Sequence, residues 1–109
     1  MRLTNNDLKV LRALKNAKAR YTELAEEVRI SPAGLTKVLK KLQKEGLVER
    51  MQDNSTYPPP VYYRITEKGR RVLKQNEAAE LFMNLIEVDE KLADEIIEEF
   101  KKRLEELRK

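Results

Sequence analysis

The 109-residue sequence predicts a mainly α-helical fold with one small β-hairpin, α+β in class, and three observations carry that prediction. Apolar residues recur at helical spacing in five stretches. Hydroxyl or acidic N-cap residues stand in front of several of them, and one pair of β-branched and aromatic runs interrupts them between residues 47 and 65. A charged fraction of 39% beside 40% hydrophobic residues describes a folded protein with a strongly ionic surface rather than a disordered tail.

The first helix begins at Thr4-Asn5-Asn6-Asp7, which has the form of a capping box, with Leu3 and Leu8 spaced as a hydrophobic staple and Leu8, Leu11 and Leu14 following at helical spacing. It stops in the polar stretch Asn16-Ala17-Lys18-Ala19-Arg20. Thr22 is the expected cap of a short second helix through Leu24, Ala25 and Val28. Ser31-Pro32 opens the third: a hydroxyl N-cap followed by proline at the first helical position, with Ile30 and Leu35 as staple. Leu35, Val38, Leu39 and Leu42 make its single apolar stripe, and Gly46 ends it where Leu47 can fold back on Leu42. Two helices joined by so short a turn suggest a helix-turn-helix.

Residues 47–52 and 61–65 are the two strands of the hairpin, joined by the polar Asp53-Asn54-Ser55-Thr56-Tyr57 and three prolines that cannot donate ladder hydrogen bonds. Thr66 caps a fourth, long helix from Glu67, whose apolar positions run to Leu85 and Ile86. Asp89 is a fresh N-cap, and a last helix to Lys109 carries Leu92, Ile96, Phe100, Leu104 and Leu107 on one arc, with Glu98/Lys102 and Glu99/Arg103 spaced for i,i+4 pairing. This divides the chain into a domain over 1–76 and a helical segment over 77–109. The charge divides with it: net +9 in the first part and −5 in the second, summing to +4.

Composition removes most chemistry. With no Cys and no His there is no disulfide, thiol nucleophile, imidazole base or Cys/His metal site, so catalysis would fall to carboxylates, Lys or Tyr. Glu23, Glu26 and Glu27 share one short helix with no converging partner, and no catalytic residue, metal or cofactor is expected. No apolar run approaches the length of a membrane span, so neither a membrane nor a signal peptide enters the reading, and the expected location is the cytoplasm.

What remains is a polyanion surface. Turning the apolar stripe of the third helix inward places Ala33, Lys37, Lys40, Lys41 and Lys44 on the opposite face with Thr36 at its margin, and that face carries no acid. Small residues Ser31, Ala33 and Gly34 let the backbone approach a groove; Thr36 and Lys37 are placed for base edges, and Lys40, Lys41 and Lys44 for phosphates. On the hairpin Arg50, Gln52, Asn54, Ser55, Thr56 and Arg64 are candidates for backbone or minor-groove contacts. Arg2, Arg12, Lys15, Lys18 and Arg20 read as ordinary surface charge. Leu85, Leu92, Ile96, Phe100, Leu104 and Leu107 are the candidate dimer seam, the competing use being packing within the chain.

The order of elements resembles the winged helix-turn-helix of MarR-like and PadR-like transcription regulators. The carriers are Tyr21-Thr22-Glu23-Leu24-Ala25-Glu26, Ile30-Ser31-Pro32-Ala33-Gly34-Leu35-Thr36, the run from Lys41 to Arg50, and Tyr62-Tyr63-Arg64-Ile65-Thr66-Glu67-Lys68-Gly69. Where MarR proteins usually carry Asp-x-Arg in the wing, this chain has Asp53-Asn54-Ser55, while Tyr62-Tyr63-Arg64-Ile65-Thr66 is similar to PadR. The resemblance implies a homodimeric, sequence-specific regulator bound to double-stranded DNA. Tyr57, Tyr62, Phe82 and Met83 are candidates for lining a small-molecule effector pocket near the dimer seam, the competing use being core or wing packing. The rival reading is a winged-helix protein-interaction module that binds no DNA.

Overall fold

The computed structural model describes residues 2–109. The elements run α1 (Asn5–Ala13), β1 (Ala19–Arg20), α2 (Tyr21–Val28), α3 (Pro32–Lys44), β2 (Val48–Gln52), β3 (Val61–Ile65), α4 (Glu67–Val88) and α5 (Glu90–Arg108). The sequence-predicted order holds, with one addition. The hairpin is part of a three-stranded antiparallel sheet, β1-β3-β2, in which Ala19 pairs with Tyr63 and Arg20 with Tyr62.

The caps explain the boundaries. Thr4 Oγ1 accepts from the Asp7 amide at 3.2 Å and Asp7 Oδ2 accepts from the Thr4 amide at 2.8 Å, closing the box at the start of α1. Ser31 Oγ accepts from the Gly34 amide at 3.0 Å, and Asp89 Oδ1 from the Leu92 amide at 3.0 Å. The second helix is capped differently from expectation. It begins one residue before Thr22, and Glu23 reaches back to the Arg20 amide at 2.9 Å, because Arg20 is already held extended by β1. α2 is C-capped by Arg29, whose φ of 53° lies in the left-handed region.

Two compact units result, one ending at Lys74 and one spanning Gln75–Lys109. In the first, Val10, Leu11 and Leu14 of α1 and its end, Leu24 of α2, Leu35 and Leu42 of α3 and Leu47 share a single core with Ile65 and Leu73. Leu47 spends its N–H on the Leu42 carbonyl at 2.9 Å, so the strand starts only at Val48. The turn at Gly46, φ 75°, brings the end of α3 against the start of α4. Thr66 Oγ1 donates to the Gly46 carbonyl at 2.7 Å and its amide donates to the Leu47 carbonyl at 3.0 Å, while the Gly69 amide donates to Thr66 Oγ1. Gly69 is buried in this junction, and a Cβ there would run into the Leu47 carbonyl and stand 2.8 Å from Ile65 Cγ1.

In the second unit α5 turns back on the end of α4. The Phe82 and Phe100 rings meet edge to face at 5.7 Å, and Ala93 is completely buried.

Candidate nucleic-acid interface

α3 presents two faces. Leu35, Val38, Leu39 and Leu42 are buried, while Ser31, Pro32, Ala33, Thr36, Lys37, Lys40 and Lys44 are exposed. Among the described residues no acid pairs with Lys37, Lys40 or Lys44. Their charge is open to an external anion.

Lys41 does not belong with them. Its ammonium is bound by Asp7 Oδ2 and by the Arg2 carbonyl at 3.1 Å, so it faces α1 rather than a groove. The one-residue step from Lys40 to Lys41 turns the side chain by about 100° toward α1, which is enough to move it off the acid-free lysine face. Gly34 is likewise half-buried, and its missing Cβ makes room for the cap: a methyl there would sit 3.0 Å from Ser31 Oγ. Ser31 itself is engaged as that cap, and the hydroxyl of Thr36 contacts the Tyr21 hydroxyl at 3.1 Å.

The hairpin register separates its candidates. Arg50 pairs with Tyr63 on the face shared with the core pair Val48–Ile65, whereas Arg64 pairs with Glu49 on the opposite face. Arg50 and Asn54 are exposed. Arg64 is committed to Glu49 Oε2 through Nε at 2.9 Å and a terminal nitrogen at 2.8 Å, a cross-strand pair that cancels its charge locally. At the tip Asn54 Oδ1 accepts from Gln52 Nε2 at 3.0 Å. Asp53 is an acid at this tip. Its carboxylate lies below the usual aspartate range, first because the Ser55 hydroxyl donates to it and then because the Ser55 amide does too. The Tyr57–Pro58 peptide is cis and Tyr57 stands 95% exposed.

The candidate effector residues have separate neighbours. Tyr62 lies under Lys18 Nζ at 4.5 Å and under the Arg20 guanidinium at 5.3 Å, and its oxygen accepts from Arg20. That hydrogen bond, followed by the Tyr62 and Glu23 electrostatics, raises Arg20 above its ordinary value. Phe82 packs on Phe100, and Met83 is exposed. Lys18 and Arg20 are thus more organised than surface charge, a grouping invisible without knowing that β1 lies beside β3.

Of the dimer-seam candidates, Leu85, Ile96 and Phe100 line an apolar cleft of about 260 Å³ with Leu81 and Phe82. Part of the arc therefore packs within the chain, on α4. Leu92, Phe100, Leu104 and Leu107 remain exposed, Leu107 by 82%. No described helix is long and apolar enough to cross a membrane.

A capped helix with an acid-free lysine face, set in a helix-turn-helix beside a three-stranded hairpin sheet, defines a winged helix-turn-helix domain. The chain belongs to the HxlR-like helix-turn-helix family, whose model matches residues 6–89. An uncharacterized HTH-type transcriptional regulator of Methanocaldococcus jannaschii is 34% identical over 79 residues, 72% of this chain and 74% of that one. The chain spans about half the length of another relative, the transcriptional regulator AdcR of Streptococcus pneumoniae, 30% identical over 74 residues that make up 68% of this chain and 50% of that one. Among solved structures, ZitR of Lactococcus lactis, described as a zinc-responsive MarR family member, superposes with a TM-score of 0.62 at 26% identity, covering 100% of this chain and 78% of that one. A PadR family regulator of Clostridium difficile shares the fold at a TM-score of 0.69 and 18% identity, covering 76% of this chain and 94% of that one. The MarR and PadR resemblance in the sequence is thus matched in the fold. Zinc response belongs to the lactococcal protein; this chain has no Cys or His, and the described residues hold no cluster of three potential metal ligands.

Proposed function

We propose that this chain binds double-stranded DNA as a two-fold dimeric transcriptional regulator, with α3 in the major groove and the hairpin on the flanking backbone or minor groove. The observation that carries the reading is the face of α3 on which Lys37, Lys40 and Lys44 stand exposed without an acid, starting at a cap where helices of this architecture meet base edges. Arg50 and Asn54 are the hairpin's contacts. The dimer reading rests on the Gln75–Lys109 unit, where Leu92, Phe100, Leu104 and Leu107 stand exposed on one helix, an apolar stripe suited to a partner surface. A two-fold dimer that presents one α3 to each half-site calls for a palindromic operator with half-sites about one DNA turn apart.

Duplex binding over a salt series tests the first part. Each neutralised phosphate contributes a slope of about −0.9 in log K against log salt, so Lys40→Ala with Lys44→Ala flattens the slope by about 1.8 and weakens binding to every sequence. A double variant that binds as wild type at every salt sinks the α3 assignment. Absence of duplex binding even at low salt favours the protein-interaction module instead. Mass measured in solution tests the second part: wild type runs as a dimer, and Leu104→Glu with Leu107→Glu, both exposed and outside the α4–α5 cleft, runs as a monomer.

A further inference from the structure

The hydroxyl of Tyr21, the first residue of α2, touches the start of α3 twice. It donates to the Pro32 carbonyl at 2.8 Å and stands 3.1 Å from Thr36 Oγ1. A phenol has one proton and a carbonyl has none, so the proton in the second contact comes from Thr36. Thr36 therefore meets any external partner with lone pairs and no donor. Around it, Pro32 has no N–H and the side chain of Ala33 is a single methyl group. Pro32, Ala33, Thr36, Lys37 and Lys40 line one open notch of about 520 Å³. The notch thus has an apolar floor, one hydrogen-bond acceptor, and two lysines as its only charges.

On the reading that α3 enters the major groove, the geometry points to a notch that selects thymine·adenine pairs through the thymine C5-methyl group. Pro32 and Ala33 take the methyl; Thr36 accepts from the adenine N6 amino group. Tyr21 is a positioning residue that fixes the direction of the Thr36 proton. The bidentate donors that read guanine, Arg above all, are absent from the stretch Ser31–Lys37, and Lys37 is its only cationic donor. A cytosine·guanine pair also presents an amino donor, so the acceptor alone does not separate the two. The methyl does, because thymine is the only unmodified base that carries one in the major groove. Lys37 and Lys40 supply the opposite charge that holds the phosphates beside such a pair.

The test begins by selecting preferred duplexes from a random library with the full chain, then replacing single thymines by deoxyuridine, which deletes only the methyl. We expect thymine·adenine at the position under the notch, and a loss of about fourfold on substitution there, equivalent to ~0.8 kcal/mol for one methyl group. The same substitution in the flanks changes nothing. In Ala33→Gly the methyl has lost one of its two partners, and the fourfold difference shrinks. Tyr21→Phe keeps the ring but returns a donor proton to Thr36, so its selected sites lose the requirement for the adenine amino group. Wild-type binding that is indifferent to deoxyuridine throughout the selected site overturns the methyl contact, and a Tyr21→Phe consensus identical to wild type overturns the role of Tyr21. Both leave DNA binding by α3 standing. Failure to bind any duplex at low salt removes that underlying reading and the notch assignment with it.

Discussion

Lys40 and Lys41 are adjacent lysines on one helix, and replacing each by alanine should produce opposite phenotypes. Asp7 is 1% exposed, and among the described residues its carboxylate is held by the Thr4 amide and the Lys41 ammonium. Lys41→Ala leaves that carboxylate in the protein without its cation. Breaking a fully buried pair costs about 3–5 kcal/mol, but the Lys41 side chain is 36% exposed, so water already shares and screens the ammonium. A cost near 2 kcal/mol is the reasonable expectation, which for a unit of this size lowers Tm by about 8–16 °C. Lys40→Ala removes an unpaired exposed charge and should move stability by no more than about 0.5 kcal/mol. In DNA binding the order reverses: Lys40→Ala reduces the salt slope by about 0.9, and Lys41→Ala, measured below its own melting transition, leaves the slope unchanged. Thermal unfolding followed by circular dichroism and a salt titration by fluorescence anisotropy read the two quantities separately. Lys41→Ala melting with wild type, or flattening the slope as Lys40→Ala does, would refute the assignment of Lys41 to Asp7.

Gly69→Ala forces a methyl into the Leu47 carbonyl and the Ile65 side chain, backbone on one side and core on the other, and should destabilise by about 3 kcal/mol or more in urea unfolding; a loss below 1 kcal/mol would mean that the junction yields. Arg29→Gly should do the reverse, gaining about 0.5–1 kcal/mol by relieving a left-handed backbone at φ 53°, and a destabilised variant would show that the arginine side chain holds the turn. Asp53 is held below its ordinary value by Ser55, so its contribution to order at the hairpin tip is complete above the unfolded aspartate value near 3.9 and is lost as pH falls through the lower folded value. Following the Ser55 amide resonance with pH should give a midpoint below about 3.9 that rises in Ser55→Ala; a wild-type midpoint at or above it contradicts the Ser55 hydrogen bonds.

Elements whose signals are local were legible in the sequence. Thr4 with Asp7, Ser31 before Pro32, Gly46 before Leu47 and Asp89 each announce a helix end through atoms within a few residues, and the structure uses each of them. Contacts between distant segments were not. Two residues, Ala19 and Arg20, have no strand propensity of their own and become β1 only because Tyr62 and Tyr63 lie beside them. That pairing in turn extends Arg20, starts α2 a residue early and leaves Thr22 without a capping role. Lys41 reads as a phosphate contact by helical phase alone because its partner lies 34 residues upstream. Arg64 reads as free because facing Glu49 depends on hairpin register. Ala93 gave no signal, since an alanine among charged neighbours is an ordinary surface residue until another helix covers it.

The division of labour along α3 bears on how such a regulator changes its target. The side chains that anchor the helix, Leu35, Val38, Leu39, Lys41 and Leu42, share no position with Ala33, Lys37, Lys40 and Lys44 on the open side. Substitutions at exposed, unpaired positions typically shift stability by less than about 0.5 kcal/mol. On the reading that α3 enters the groove, drift at those four sites explores new operators without endangering the fold, and a duplicated copy can acquire a different regulon by exchanging a few residues. Thr36 is the exception: tied to Tyr21, it changes only together with a residue of the preceding helix, so it should be the slowest of the reading positions to diverge between paralogues.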